Sequence, residues 1–337
     1  MTAKPIALLL SDPRPEPATI AMSEGTDPRI VEGALAAVKQ GFAHVILVGD
    51  ASTIEAELAK HNALGRDGVE VHDPENSPLH DEFAKAFFEL RKHKGVDEVK
   101  AQAAVQDRLT YAALLVRQGY ADGTVGGAVE TTSNVVRAAI QVIGKAPSAK
   151  LVSSFFLMYP PEDASDEARA MLYSDSGLVI DPSAEEMAAI AADASTSFKA
   201  LMRDDPKVAM LSFSTKGSAQ HPMTEKVVEA TARVKSDHPD LNVDGELQFD
   251  AAFVPLVGAS KSPGSDVAGQ ANVMVFPNLD AGNIAYKITQ RVGGYTAIGP
   301  VLQGLAKPAN DLSRGCVASD VTEIIAVTIL QVRASAA

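Results

Sequence analysis

Cysteine is nearly missing: Cys316 stands alone among 337 residues. One thiol closes no internal disulfide and builds no cysteine zinc cluster, which agrees with a reducing compartment. Long apolar runs are missing as well, and none approaches the roughly 20 residues a membrane span needs. The N-terminal run, PIALLL at 5–10, is shorter than a signal-peptide core, and the SDPRPEP after it lacks a small-residue cleavage site. A cytoplasmic protein without a membrane segment is expected. Basic residues are outnumbered, 30 against 43 acidic ones, giving a formal charge of −13. That balance argues against nonspecific nucleic acid binding, which depends on clustered Lys and Arg. A small anionic ligand is still allowed, because it meets local charges inside a cleft rather than the total.

Several functional signatures are also absent. There is no GxxxxGK[ST] phosphate loop and no GxGxxG after a strand, so neither a nucleoside triphosphatase nor a conventional dinucleotide domain has support. The seven histidines form no i, i+4 pair and no HExxH, so no histidine metal site is expected. A GxSxG nucleophile elbow is missing too.

What is present is an alternation. Apolar, β-rich runs (HVILVGD at 44–50, KLVSSFFLMY at 150–159, KVAMLSFS at 207–214, NVMVFPN at 272–278) alternate with amphipathic helical patterns at 28–40, 183–202, 224–235 and 320–332. Near-continuous apolar strands between such helices predict an α/β fold, a mostly parallel sheet covered on both faces. In such sheets ligands bind beyond the carboxyl ends of the strands. At 337 residues two domains are expected. GKAPSA at 144–149 and VGGYTAIGP at 292–300 mark the boundaries, so that 1–147 with 300–337 form one domain and 148–299 the other. The Gly/Ser-rich stretch 257–270 reads as a mobile loop near the cleft.

Each candidate residue has a plain structural reading beside a functional one. Arg91, before a helix-ending Gly95, and Arg291, in NIAYKITQRVGG, sit where cations complement a helix macrodipole. Arg137 lies on a polar stripe with Ser133 and Gln141, opposite an apolar stripe of Val136, Ile140 and Ile143, and a solvated face explains it. Its helix nevertheless begins with GGAVETTSN after a strand-like ADGTV. Such a start, carrying Thr132 and Ser133, offers unpaired N–H groups to a phosphate. Asp320, with Glu323 three residues on, has the pattern of a helix N-cap. Ser313 suits a turn and Cys316 a small buried residue.

Taken together, KLVSSFFLMY, LSFSTKG (211–217), ANVMVFPNLDAGNIAYKITQRVGG (271–294) and GPVLQGLAKPANDLSRGC (299–316) resemble the phosphate acetyltransferase (phosphotransacetylase) family, in its short form. The resemblance runs from about residue 18, ATIAMSEGTDPRIVEGA, nearly to the end; residues 1–17 lie outside it. It implies two α/β/α domains with an interdomain cleft, a fold similar to isocitrate and isopropylmalate dehydrogenases, and a homodimer. It implies reversible acetyl transfer between coenzyme A and inorganic phosphate, with CoA as a substrate and no tightly bound cofactor or metal. Asp320 is then the base for the CoA thiol, Ser313 and Arg314 stand beside the reacting centre, and Arg91, Arg137 and Arg291 match positions associated with phosphate or CoA. Pro308 and Asn310 would shape a turn ahead of them.

The chemistry fits those residue types. A thiol with a pKa near 8.5 is only about a tenth ionised at about pH 7.5, so a base is useful. An ordinary Asp is about 4.6 units more acidic, making full transfer uphill by roughly 6 kcal/mol. A modest rise in Asp320's pKa through burial, plus transfer concerted with attack, is the expectation. Three rivals stand beside this reading. They are a noncatalytic acetyl-CoA-binding regulatory module, a decarboxylating hydroxyacid dehydrogenase on the same fold and a phosphate butyryltransferase-like enzyme, with acyl transfer through Cys316 as an alternative route to the same product.

Overall fold

Parallel strands cannot be joined by tight hairpins, so a chain that alternates strand and helix patterns must cross over its sheet each time. The computed structural model describes residues 3–14, 16–165 and 168–335. It divides into two compact units: a terminal unit of Pro5–Pro147 plus the chain from Leu305 onward, and a middle unit of Ser148–Gly304.

The terminal unit begins with α1 (Pro5–Ser11), β1 (Ala18–Met22), α2 (Pro28–Lys39), β2 (Ala43–Val48), α3 (Ala51–Lys60) and β3 (Val69–His72). It continues with α4 (His80–Arg91), α5 (Glu98–Ala104), α6 (Arg108–Gln118), β4 (Gly123–Gly126) and α7 (Thr132–Val142). The middle unit holds β5 (Ser153–Tyr159), β6 (Met171–Ser174), α8 (Ala184–Met202), β7 (Val208–Leu211), α9 (Pro222–Asp237) and β8 (Val243–Leu247). It closes with α10 (Phe249–Phe253), α11 (Pro255–Lys261), β9 (Val273–Val275), α12 (Leu279–Arg291) and β10 (Thr296–Gln303). The chain then returns to the terminal unit with β11 (Ala309–Asp311) and α13 (Ala318–Ser335).

The terminal sheet has the order β11-β4-β1-β2-β3, and every pair is parallel. The chain fills β1, β2 and β3 in one direction, then places β4 on the other side of β1. The crevice at such a reversal is where open α/β sheets bind ligands. Helix starts here follow local chemistry: Asp27, Asp50, Asp97 and Asp107 each accept an N–H of the first turn, and Pro28 occupies a first-turn position that needs no N–H. One face of the sheet packs against α4 and α6 through Phe83, Phe87, Tyr111 and Leu115. Across the sheet α13 is apolar almost all round, burying Val321, Ile324, Ile325, Val327, Ile329 and Leu330. The segment before residue 18 joins this layer: α1 buries Leu8 and Leu9 and packs on α13. No helix among the described residues is long and apolar enough to cross a membrane.

The middle sheet, β10-β5-β6-β9-β7-β8, is mixed. β6, β9, β7 and β8 are mutually parallel, whereas β5 runs antiparallel to both of its neighbours. All seven residues of β5 are buried, so its apolar run is the same whichever way its neighbours point. The stretch 257–270 is not the predicted mobile loop. Its first residues belong to α11, Val267 and Ala268 are in the core, and the Ser265 hydroxyl donates to Asp244 Oδ2 at 2.6 Å.

Candidate active site

Three adjacent strands of the terminal sheet, β11, β4 and β1, end side by side, and the predicted site residues follow two of them. β11 runs straight into Leu312–Ser313–Arg314. Asn310 is therefore a buried strand residue, its amide donating to Thr328 Oγ1 at 2.9 Å and Gln331 Oε1 at 2.7 Å, and not the turn former expected from Pro308 and Asn310. The turn comes three residues later. Cys316 N–H donates to Ser313 O at 2.9 Å, and Gly315 N–H reaches Ser313 Oγ at 3.3 Å. Ser313 and Arg314 are exposed, and among the described residues no carboxylate pairs with the Arg314 guanidinium.

Asp320 is also exposed, and the burial expected of it is not there. Nor is it the N-cap. α13 starts two residues earlier, and Asp320 is in its first turn, with Oδ2 accepting the Val317 N–H at 3.0 Å. The carboxylate reaches back to the helix start instead of opening it, as the second half of a capping box does.

Beyond β4, Thr131 caps α7 through the Asn134 N–H at 3.3 Å, leaving Thr132 and Ser133 as its first two helical residues, whose N–H groups have no intrahelical acceptor. Arg137 is exposed one turn on and donates to Asn134 Oδ1 at 3.1 Å. The expected apolar stripe needs one correction. Ile140 is 44% exposed, because the buried face runs through Val135, Ala138, Ala139 and Val142, with Val136 and Ile143 beside it. Arg91 ends α4, which packs against α7, and has no carboxylate partner among the described residues. Arg291 lies in the middle unit, exposed at the last position of α12. The terminal unit thus carries Ser313, Arg314 and Asp320 in one turn and helix start, and Thr132, Ser133 and Arg137 in another.

Two residues absent from the sequence expectations organise these segments. Arg29, at the start of α2, donates through Nη1 to Arg314 O at 2.9 Å and to Cys316 O at 3.2 Å. Through Nη2 it donates to Ala128 O at 2.8 Å, and its own charge is met by Asp27 at 2.8 Å. One guanidinium therefore fixes the backbone of the Ser313 turn against the loop before α7. Arg29 also holds the Asp27 carboxyl below its ordinary pKa. Glu24, fully buried after β1, accepts the N–H groups of Ala128 at 2.6 Å, Val129 at 3.0 Å and Glu130 at 2.7 Å. The donors that the Gly/Thr/Ser-rich stretch displayed in sequence are in part already taken. Both residues sit in SEGTDPR, where their only sequence signal was charge beside a helix-starting proline.

Asp311, the last residue of β11, is buried completely. Its Oδ2 accepts the Thr132 hydroxyl at 2.6 Å. Burial, then the charge of Glu24, push its carboxyl up to about 7 against the effect of that hydrogen bond. Cys316 is buried, and burial pushes its thiol up despite the nearby Arg29 charge. A cavity of about 390 Å³ also lies in this unit, over the ends of β1, β2 and β3. Asp50, Asp73, Glu75 and Asp107 line it, and that acidic wall does not suit an anionic substrate.

A parallel sheet with a reversal in strand order, and exposed arginine, serine and aspartate at its carboxyl ends, is the arrangement expected of an α/β enzyme that handles an anionic substrate. Known proteins narrow this class. A family model described as phosphate acetyl/butaryl transferase matches residues 6–329. The phosphate acetyltransferase of Acetivibrio thermocellus is 46% identical over 93% of both chains, and that of Paracoccus denitrificans 45% identical over 93% of this chain and 95% of its own. A phosphotransacetylase structure from Streptococcus pyogenes superposes with a TM-score of 0.90 at 40% identity, covering 98% of each chain. The EutD phosphotransacetylase from Staphylococcus aureus gives 0.88 at 37% identity, covering 97% of this chain and 98% of its own. The chain belongs to the phosphate acetyl/butaryl transferase family and is an acyltransferase.

Proposed function

We propose that this chain passes an acetyl group reversibly between coenzyme A and inorganic phosphate, and that the Ser313–Asp320 segment is where it does so. The observation that carries the reading is the contrast within that segment. Its backbone is held from behind by Arg29, while the side chains of Ser313, Arg314 and Asp320 face outward without a competing ion pair among the described residues.

In the direction of thioester synthesis, Asp320 takes the thiol proton as sulfur attacks the carbonyl carbon of acetyl phosphate. Proton transfer to Asp320 accompanies C–S bond formation. Arg314 holds the phosphoryl oxygens with two parallel N–H donors, a geometry Lys does not reproduce. Arg314 and the Ser313 hydroxyl stabilise the tetrahedral oxyanion, a contribution of about 3–4 kcal/mol per donor in such sites. The intermediate collapses with cleavage of the C–O bond and release of phosphate. Arg91, Arg137 and Arg291, with the α7 start at Thr132 and Ser133, serve as anion contacts for phosphate and CoA. The chain works in the cytoplasm as a homodimer. Ile284 and Ile288, exposed in line along α12, and Val292 just after it support such a partner.

The test follows thioester absorbance with CoA and acetyl phosphate, in wild type and Asp320→Ala, with butyryl phosphate in parallel. Turnover lost in the variant supports the enzyme and its base together. Acetyl-CoA binding without turnover in wild type would overturn the reading in favour of a regulatory module, and faster turnover of butyryl phosphate would reassign the acyl group.

A further inference from the structure

The Thr132–Asp311 pair carries a consequence for the part of the substrate that Thr132 meets. A threonine hydroxyl has one proton to give and two lone pairs to receive with. In this structure the proton is engaged: Thr132 Oγ1 donates to Asp311 Oδ2 at 2.6 Å. The acceptor is fixed. Asp311 ends a strand, is 0% exposed, and has its other oxygen, Oδ1, turned to the Gly127 backbone. A Cβ at Gly127 would lie 2.0 Å from that oxygen, and Gly127 has φ +99°, so the residue type leaves room for the carboxyl where a side chain would displace it. Thr132 itself is half-buried and opens α7.

We propose that Asp311, in its ionised form, is a positioning residue that accepts the hydrogen bond of the Thr132 hydroxyl and so presents Thr132 Oγ1 outward as a hydrogen-bond acceptor for the pantetheine arm of CoA. The argument is one of matching. Acetyl phosphate at neutral pH offers carbonyl and phosphoryl oxygens, all acceptors, and an acceptor oxygen gains nothing beside them. The pantetheine arm brings amide N–H donors and the thiol S–H. A hydroxyl whose proton is committed therefore discriminates between the two substrates, leaving acetyl phosphate to the arginines. This rests on the proposal that the starts of α7 and of the Ser313 turn form one site.

Steady-state kinetics with each substrate varied separately tests it, using Thr132→Val, Thr132→Ser, Asp311→Ala and Asp311→Asn. Loss of one such hydrogen bond corresponds to about a tenfold change. Thr132→Val and Asp311→Ala should each raise KM for CoA by about that factor and leave KM for acetyl phosphate within about twofold. The double variant should be no worse than either single one. Thr132→Ser, which keeps the hydroxyl, and Asp311→Asn, which keeps an acceptor oxygen, should stay near wild type. A rise in KM for acetyl phosphate instead, or additive losses in the double variant, overturns the proposal. So does an unchanged Thr132→Val, which stays informative if Asp311→Ala fails to fold. If wild type makes no thioester, the functional reading falls. Calorimetric CoA binding by wild type and Thr132→Val then decides this inference separately, equal affinities counting against it.

Discussion

Buried carboxylates occur at the strand ends of both units, and they are not treated alike. In the middle unit Asp175, after β6, accepts the Ser154 N–H and hydroxyl and the N–H groups of Gly177 and Leu178, all within 2.9 Å. Glu246 there accepts the Ser214 hydroxyl at 2.8 Å and the Gly217 N–H at 2.7 Å. Glu24 in the terminal unit is similarly filled by three N–H donors. Asp311 is as deeply buried yet has one hydroxyl donor, on one oxygen. Carboxylates that hold two or more donors tie loops to strands, whereas one with a single donor is available to control a neighbour. Asp320, outside the core altogether, completes the series as the carboxylate proposed to face substrate.

The largest effect that separates these roles should come from Asp320→Ala. Turnover is expected to fall by about 10²–10⁴-fold with the melting temperature nearly unchanged; a large loss of stability would place Asp320 among the structural carboxylates instead. Arg314→Lys comes next, with kcat/KM for acetyl phosphate down by about 10²-fold from losing the paired donors. At Glu24 the expected loss moves from rate to stability. Glu24→Gln turns an amide NH₂ toward backbone N–H donors and should cost about 2–4 kcal/mol, read by thermal melting.

Asp311→Asn should behave differently from Glu24→Gln in sign. With its pKa raised to about 7 from 3.8, folded Asp311 keeps a proton that the unfolded chain has already released. Wild-type stability therefore falls as pH rises from about 4 to about 7, by about 4 kcal/mol at most. The Asn variant lacks that slope and should gain in melting temperature relative to wild type between pH 4 and pH 8. Parallel curves for the two proteins would put Asp311 with the carboxylates that hold two or more donors. The smallest effect belongs to Cys316→Ala. A buried thiol with a raised pKa is a poor nucleophile, so activity should stay within about twofold. Near-complete loss would revive acyl transfer through sulfur.

The architecture was legible in the sequence because its strands are buried on both faces and its helices are amphipathic, and both leave strong periodicities. The direction of β5 was not legible, since burial alone fixes its composition. The site segments were legible as motifs, and their exposed side chains lie in the turn and helix starts that the motifs mark. What stayed hidden was the support beneath them. Glu24 and Arg29 act over about a hundred and nearly three hundred residues of chain, and no local pattern announces such partners. Asp320 was misplaced as an N-cap because α13 begins at Ala318, where no side chain signals a helix start. Asn310 was misread for a similar reason: Asn favours turns in general, and only the pairing of β11 with β4 shows that this one is inside a sheet.

That last strand has a consequence for how the protein comes into being. β11 and α13 follow the middle unit in the chain, and β4 remains a sheet edge until β11 pairs with it. During synthesis the middle unit can close on itself first, while the unit bearing Ser313 and Asp320 waits for residues 305 onward. A growing chain therefore acquires the edge strand of that sheet and the Ser313–Asp320 segment together, after the middle unit.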